Sequence, residues 1–228
     1  MTRAPIAELF KIDGDSGTPL SAIWMKPDDA RAALVLAHGA GAGMTHPFME
    51  HVATGLAEHG VATLRFQFPY MEKGSKRPDS PAVAHAAIRD AVAAARSRCG
   101  ALPLLAGGKS FGGRMTSQAQ ALAPLDGVRG LVFLGFPLHP AGKPSMARAE
   151  HLEAVRVPML FVQGTRDKLA EPELLSPVIR SLGNQATLHP IADADHAFHV
   201  PVRTGRRDGD VISEICSAVA VWIAREID

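Results

Sequence analysis

Short apolar runs of strand length alternate along this chain with longer stretches in which apolar positions recur at helical spacing. That alternation predicts parallel strands joined by crossover helices. Residues 33–37, 61–68, 102–107, 130–136, 159–163 and 186–191 read as strands of such a sheet. Residues 6–12 and 20–25 flank a turn region at 14–19 and read as an antiparallel hairpin at one edge, making about eight strands in all. Between the strands, Phe48, Val52 and Leu56 form one apolar stripe, and Ile88, Val92, Ala95 and Cys99 another. Met115, Ala119 and Leu122 continue the pattern, and Val211, Ile215, Ala218 and Trp222 give the closing helix one apolar face. Each stripe is wide enough to cover a sheet face. The expected fold is a three-layer αβα sandwich with a mostly parallel sheet. Residues 69–80 and 198–209 fit neither period and read as irregular segments.

The chain has 228 residues, enough for one well-packed α/β domain spanning 1–228 and too few for a large second domain. About eleven residues separate the strand ending at Phe136 from the next helix-like run near Arg148, which leaves little room for a cap domain, and none is expected. With 24 Lys+Arg against 23 Asp+Glu, the balanced charge gives no reason to expect nucleic acid or an acidic membrane as partner. A small molecule is the expected ligand, and oligomeric state stays open. Two cysteines, Cys99 and Cys216, lie far apart and suggest neither a zinc ribbon nor a disulfide framework. A reducing cytoplasm fits. Residues 1–13 lack the apolar core of a leader, and no stretch reaches the ~18 apolar residues of a membrane span. No cofactor or metal is expected.

The chemistry concentrates at Gly108-Lys109-Ser110-Phe111-Gly112, where a serine stands between two glycines at a strand-to-helix junction. A sharp turn there would present Ser110 at the carboxyl edge of the sheet. A serine hydroxyl is a weak nucleophile and needs an imidazole within hydrogen-bond reach and a carboxylate to fix its tautomer. Asp167, in the turn after the strand 159–163, is the leading acid, with Asp193 and Asp195 as competitors. His196, in the loop after the strand 186–191, is the leading base, ahead of His189 and His199. The order Ser, Asp, His suits a strand-to-helix nucleophile turn. The backbone amides of Phe111 and Ala40 are the expected oxyanion donors, with Gly41 the alternative to Ala40. Gly39, Gly41, His139 and Tyr70 are expected around the substrate. For residues 69–80 a substrate wall and an ordered solvated loop are equally compatible with the mixed charges. Lys109 reads as structural, and Arg203, Arg206 and Arg207 as a solvated basic loop.

Residues 108–114, together with the runs 38–43, 66–74 and 136–140, resemble the α/β-hydrolase superfamily over about residues 20–225. More narrowly the chain resembles a small lidless branch related to dienelactone hydrolases, of the kind called KANL3/Tex30-like. The resemblance implies an α/β sandwich with Ser110, Asp167 and His196 as a triad. Dienelactone hydrolases proper use a cysteine nucleophile where this chain has Ser110, so a serine esterase acting on a small acyl substrate is expected. Similar chains include scaffolds that bind a protein partner, and the same triad could pass an acyl group to an acceptor other than water.

Overall fold

The structure, a computed structural model, describes residues 5–14 and 17–227. Part of the predicted turn at 14–19 and the first four residues of the chain lie outside the described residues. Eight strands form one sheet: β1 (Ala7–Ile12), β2 (Leu20–Met25), β3 (Ala32–Ala37), β4 (Val61–Phe66), β5 (Leu104–Lys109), β6 (Val128–Leu134), β7 (Met159–Gly164) and β8 (Ala186–Ile191). Their order is β1-β2-β4-β3-β5-β6-β7-β8. Strand β2 pairs antiparallel with both β1 and β4, and every other pairing is parallel.

The helices are α1 (Pro47–Glu58), α2 (Pro69–Glu72), α3 (Pro81–Cys99), α4 (Phe111–Leu122), α5 (Pro172–Leu182) and α6 (Asp208–Glu226). Helices on both faces explain why β3, β4 and β7 are buried at every position. Side chains alternate along a strand, so β3 sends Ala33, Val35 and Ala37 into the core under α3, α4 and α5. Its other face sends Ala32, Leu34 and Leu36 into the core under α1 and α6. The stripes of α1, α3 and α6 are seated as the helical spacing predicts, apart from half-buried Phe48 and Ala218.

Three local expectations need correction. Strands β5 and β6 are displaced from 102–107 and 130–136, because β5 continues until Lys109 pairs with Leu134 and Gly135 then turns the chain at φ 70°. Leu122 lies in the last turn of α4 and is 74 % exposed, outside the stripe of Met115 and Ala119. Residues 69–80 begin with the single turn α2 and are tied inward: Glu72 accepts from Ser21 N and Lys11 Nζ, and Asp79 accepts from Tyr70 N at 2.8 Å. Two of the charges in this segment therefore anchor it to its neighbours. The run near Arg148 is a 3-10 helix, Ala147–Ala154, and no cap domain interrupts the sandwich.

Candidate active site

The site begins with a backbone conformation. Ser110 has φ 49° and ψ −111°, a region that costs a residue with a β-carbon ~1–3 kcal/mol and persists only where its surroundings enforce it. Strand β5 enforces it from one side and α4 from the other, and both press against the end of β3. A β-carbon on Gly108 would stand 2.1 Å from Ala37 O, and one on Gly112 would stand 2.5 Å from the same oxygen. Only glycine permits that approach. Ser110 N donates to Leu134 O at 3.1 Å, which ties the elbow to β6.

Two other strand ends deliver the partners. His196 Nε2 lies 2.8 Å from Ser110 Oγ, and His196 Nδ1 lies 2.7 Å from Asp167 Oδ2. Asp167 is 1 % exposed, and its oxygens are fully engaged: Gln163 Nε2 donates to Oδ2 at 2.6 Å and Leu169 N to Oδ1 at 2.8 Å. As an acceptor, Asp167 fixes the proton of His196 on Nδ1 and leaves the Nε2 lone pair facing the hydroxyl. The competing acids have other work. Asp195 Oδ1 accepts from Ala197 N and His199 N and shapes the histidine loop, while Asp193 turns that loop at φ 59°. His199 is exposed and pairs with Asp208.

Of two supports of the site, the sequence pointed to Lys109 as structural and did not single out Gln163. Gln163, at the end of β7, holds Asp167 with its amide nitrogen and accepts from Phe136 N at 2.8 Å with its oxygen. Lys109 Nζ donates to His196 O and sits 5.1 Å from the centroid of the Phe198 ring. Burial pulls the Lys109 pKa down to about 8, against the opposing fields of Asp167 and Asp195. Gln163 and Lys109 each come from a strand end, a position that sequence can flag; Gln163 lies four residues before Asp167, but its second partner Phe136 and the His196 partner of Lys109 are distant in the chain.

A cavity of about 590 Å³ opens beside Ser110, within the range of small-ligand sites. Its apolar wall includes Gly39, Ala40, Phe48, Phe198 and Ile212. The Phe111 amide opens α4, where no intrahelical acceptor is available, and the Ala40 amide has no acceptor among the described residues. Gly41 N donates instead to Tyr70 Oη at 3.0 Å, so of the two candidate amides Ala40 N is the one left free to donate. His38 braces the same loop from beneath: Nδ1 donates to Gly39 O at 2.8 Å and Nε2 accepts from Phe68 N at 3.2 Å. Burial lowers the His38 pKa to about 4.

Two of the residues expected around a substrate lie elsewhere. Tyr70 is 2 % exposed, packed against His38, Phe68 and Phe111, and shapes the glycine-rich loop through its hydroxyl. Burial raises its pKa. His139 is 1 % exposed and spans Pro140 O at 2.9 Å and Glu171 Oε2 at 2.6 Å, a brace between β6 and α5. Gly41 is exposed next to the cavity but is not part of its wall, whereas Gly39 is. A second serine–histidine contact, Ser117 Oγ to His151 Nε2 at 2.7 Å, has no carboxylate behind the imidazole. Burial lowers the His151 pKa to about 4, with Arg114 and His85 acting in the same direction. Among the described residues no cluster of three or more His, Cys, Asp and Glu side chains could hold a metal ion.

The same architecture occurs in solved structures. A dienelactone hydrolase from Anabaena variabilis superposes with a TM-score of 0.79 at 19 % identity, covering 99 % of this chain and 100 % of that one. A lidless α/β serine hydrolase from Xanthomonas campestris gives 0.73 at 22 % identity, covering 95 % and 94 %. An esterase domain from a Rhodothermus marinus protein gives 0.74 at 14 % identity, covering 98 % and 100 %. Identities this low establish the fold and nothing finer. The sequence family described as alpha/beta hydrolase domain matches residues 30–224, the stretch that carries every strand from β3 onward and all the residues that meet at Ser110. The chain therefore belongs to the α/β-hydrolase family and is one of its small lidless members.

Proposed function

We propose that the protein is a serine hydrolase that cleaves esters of small acyl groups through an acyl-enzyme intermediate. The supporting observation is the unbroken hydrogen-bonded chain from Ser110 Oγ through His196 to Asp167, at 2.8 and 2.7 Å. In the first step Ser110 Oγ bonds to the ester carbonyl carbon while His196 Nε2 takes the hydroxyl proton, and Asp167 stabilises the imidazolium. Negative charge collects on the carbonyl oxygen, where the Phe111 and Ala40 amides donate; each such donor contributes ~3–4 kcal/mol in comparable sites. Collapse expels the alcohol, which takes the proton from His196. Water then enters, His196 acts again as base, and the acid leaves Ser110 free. The absence of a cap domain and the apolar wall of Phe48 and Phe198 favour short, exposed acyl groups. The two cysteines are buried and unpaired, which suits a reducing cytoplasm. The sequence resemblance favours the KANL3/Tex30-like branch as the subgroup.

A fluorophosphonate probe tests the reading directly. Labelling should map to Ser110 and vanish in Ser110→Ala, together with hydrolysis of p-nitrophenyl acetate. A folded wild-type protein that neither labels nor turns over activated esters from pH 6 to 9 would sink it.

A further inference from the structure

Two arginines on the other side of α4 lack what every comparable arginine has. Among the described residues, the buried or half-buried Arg65, Arg89, Arg98 and Arg206 each donate to a carbonyl or carboxylate oxygen. Half-buried Arg114 and Arg148 donate to none, and the Nε of Arg114 is shut off from solvent with no hydrogen-bond partner. The two helices that carry them meet where Ser117 Oγ lies 2.7 Å from His151 Nε2, each three residues beyond its arginine, and Arg148 lowers the pKa of Arg114, after burial itself. His85 and His151 flank them; burial lowers both their pKa values, and Arg114 adds to each shift. No carboxylate is within ion-pair distance of any of the four. Their polar contacts are neutral, His85 with Gln118 and His151 with Ser117.

Bringing two half-buried guanidinium groups together, partly out of water, with two imidazoles beside them and no counter-charge, is unfavourable on both desolvation and Coulombic grounds. An oxyanion reverses both signs, because the planar fork of arginine matches the spacing of carboxylate or phosphate oxygens. Arg114 stands one helical turn beyond Ser110, and its amide bonds Ser110 O. Arg148 belongs to the 3-10 helix that follows β6, the strand to which the elbow is tied. The 590 Å³ cavity is lined from α1, α6 and the histidine loop and includes neither arginine.

We propose that Arg114 and Arg148 form a site for an oxyanion, a carboxylate or phosphate group, one turn along α4 from the nucleophile and outside the apolar cavity. The anion is either free in solution or carried by the substrate, and only the second source rests on the hydrolase reading.

Calorimetric titration of the full chain with inorganic phosphate and with succinate, against sodium chloride of matched ionic strength, tests the site itself. Wild type and Ser110→Ala should bind equally, Arg148→Gln should bind at least about tenfold more weakly, and Arg148→Lys should fall between because it keeps the charge without the fork. Arg114→Gln supplies an independent removal should the first variant fold poorly. The second arm compares the p-nitrophenyl esters of butyrate and of monosuccinate. A selective fall in kcat/KM for the monosuccinate ester in Arg148→Gln assigns the anion to the substrate; unchanged selectivity with lost phosphate binding assigns it to a free ligand. No binding beyond the chloride control in wild type overturns the site, and fluorophosphonate labelling of Ser110 in the same preparation shows whether the hydrolase reading survives that result.

Discussion

Asp167 shows how much one buried side chain must do here. It receives hydrogen bonds from His196, Gln163 and Leu169, so its geometry is overdetermined while that of His196 depends on it alone among carboxylates. Asp167→Asn keeps the volume but can turn an amide N–H toward the imidazole and favour the wrong tautomer. The expected outcome is a fall in kcat of roughly 10⁴-fold with an unchanged circular dichroism spectrum, read by steady-state kinetics on an activated ester. Lys109 acts one bond further away, through the main chain of His196. Lys109→Met should cost about 10- to 100-fold in kcat with little change in KM, and Lys109→Arg should recover part of it. Equal kcat values in the methionine variant and the wild type would show that the His196 loop holds itself.

At the scale of elements, the carboxyl end of β3 and the amino end of α4 are packed more closely than any side chain allows. Gly112→Ala would drive a β-carbon onto Ala37 O, a backbone atom with no freedom to retreat. A loss of about 2–4 kcal/mol is expected by denaturant titration. His38 joins the end of β3 to the start of α2 and is held neutral by burial, with its pKa brought from 6.5 to about 4. The unfolded chain binds a proton at His38 between these two values and the folded one does not, so stability is fully present above pH 6.5 and is lost as the pH falls toward 4. The contribution is about 3 kcal/mol. Urea titrations at pH 7 and pH 4.5 should show it, and the slope should shrink in His38→Gln even if that variant is weaker overall.

Across the whole molecule, the site is where three strand ends converge: β5 brings Ser110, β7 brings Asp167 and β8 brings His196. Strands β5, β6, β7 and β8 are successive neighbours in the sheet, so parallel pairing places their carboxyl ends side by side. The segment after β6 is a loop and a 3-10 helix that packs on α4 through His151, and among the described residues it forms no cap domain over Ser110. An uncovered cavity should distinguish substrates by length. The expected kcat/KM for p-nitrophenyl butyrate exceeds that for the palmitate by at least about tenfold, measured below the aggregation limit of the long-chain ester. No helix among the described residues is long and apolar enough to cross a membrane.

The sequence by itself determined the αβα layering and made Ser110, Asp167 and His196 the leading candidates for the site, because both are written in local order. Strand and helix periods follow from which face of each element is buried, and Ser110, Asp167 and His196 each stand just past an apolar run of strand length. The limits of β5 and β6 were less legible, since strand ends are set by the neighbour they pair with. Helix α5 carries Leu175, Val178 and Leu182 at helical spacing, but Pro177 in its interior argues against a helix when the sequence is read alone. Tertiary structure alone decided which acid faces the histidine, since Asp167, Asp193 and Asp195 have the same chemistry and differ only in where their loops turn. It also turned Tyr70 and His139 inward, to a backbone amide and a glutamate that lie many residues away in the chain. Contacts of that kind depend on the twist and stacking of the sheet, which no local run of residues encodes.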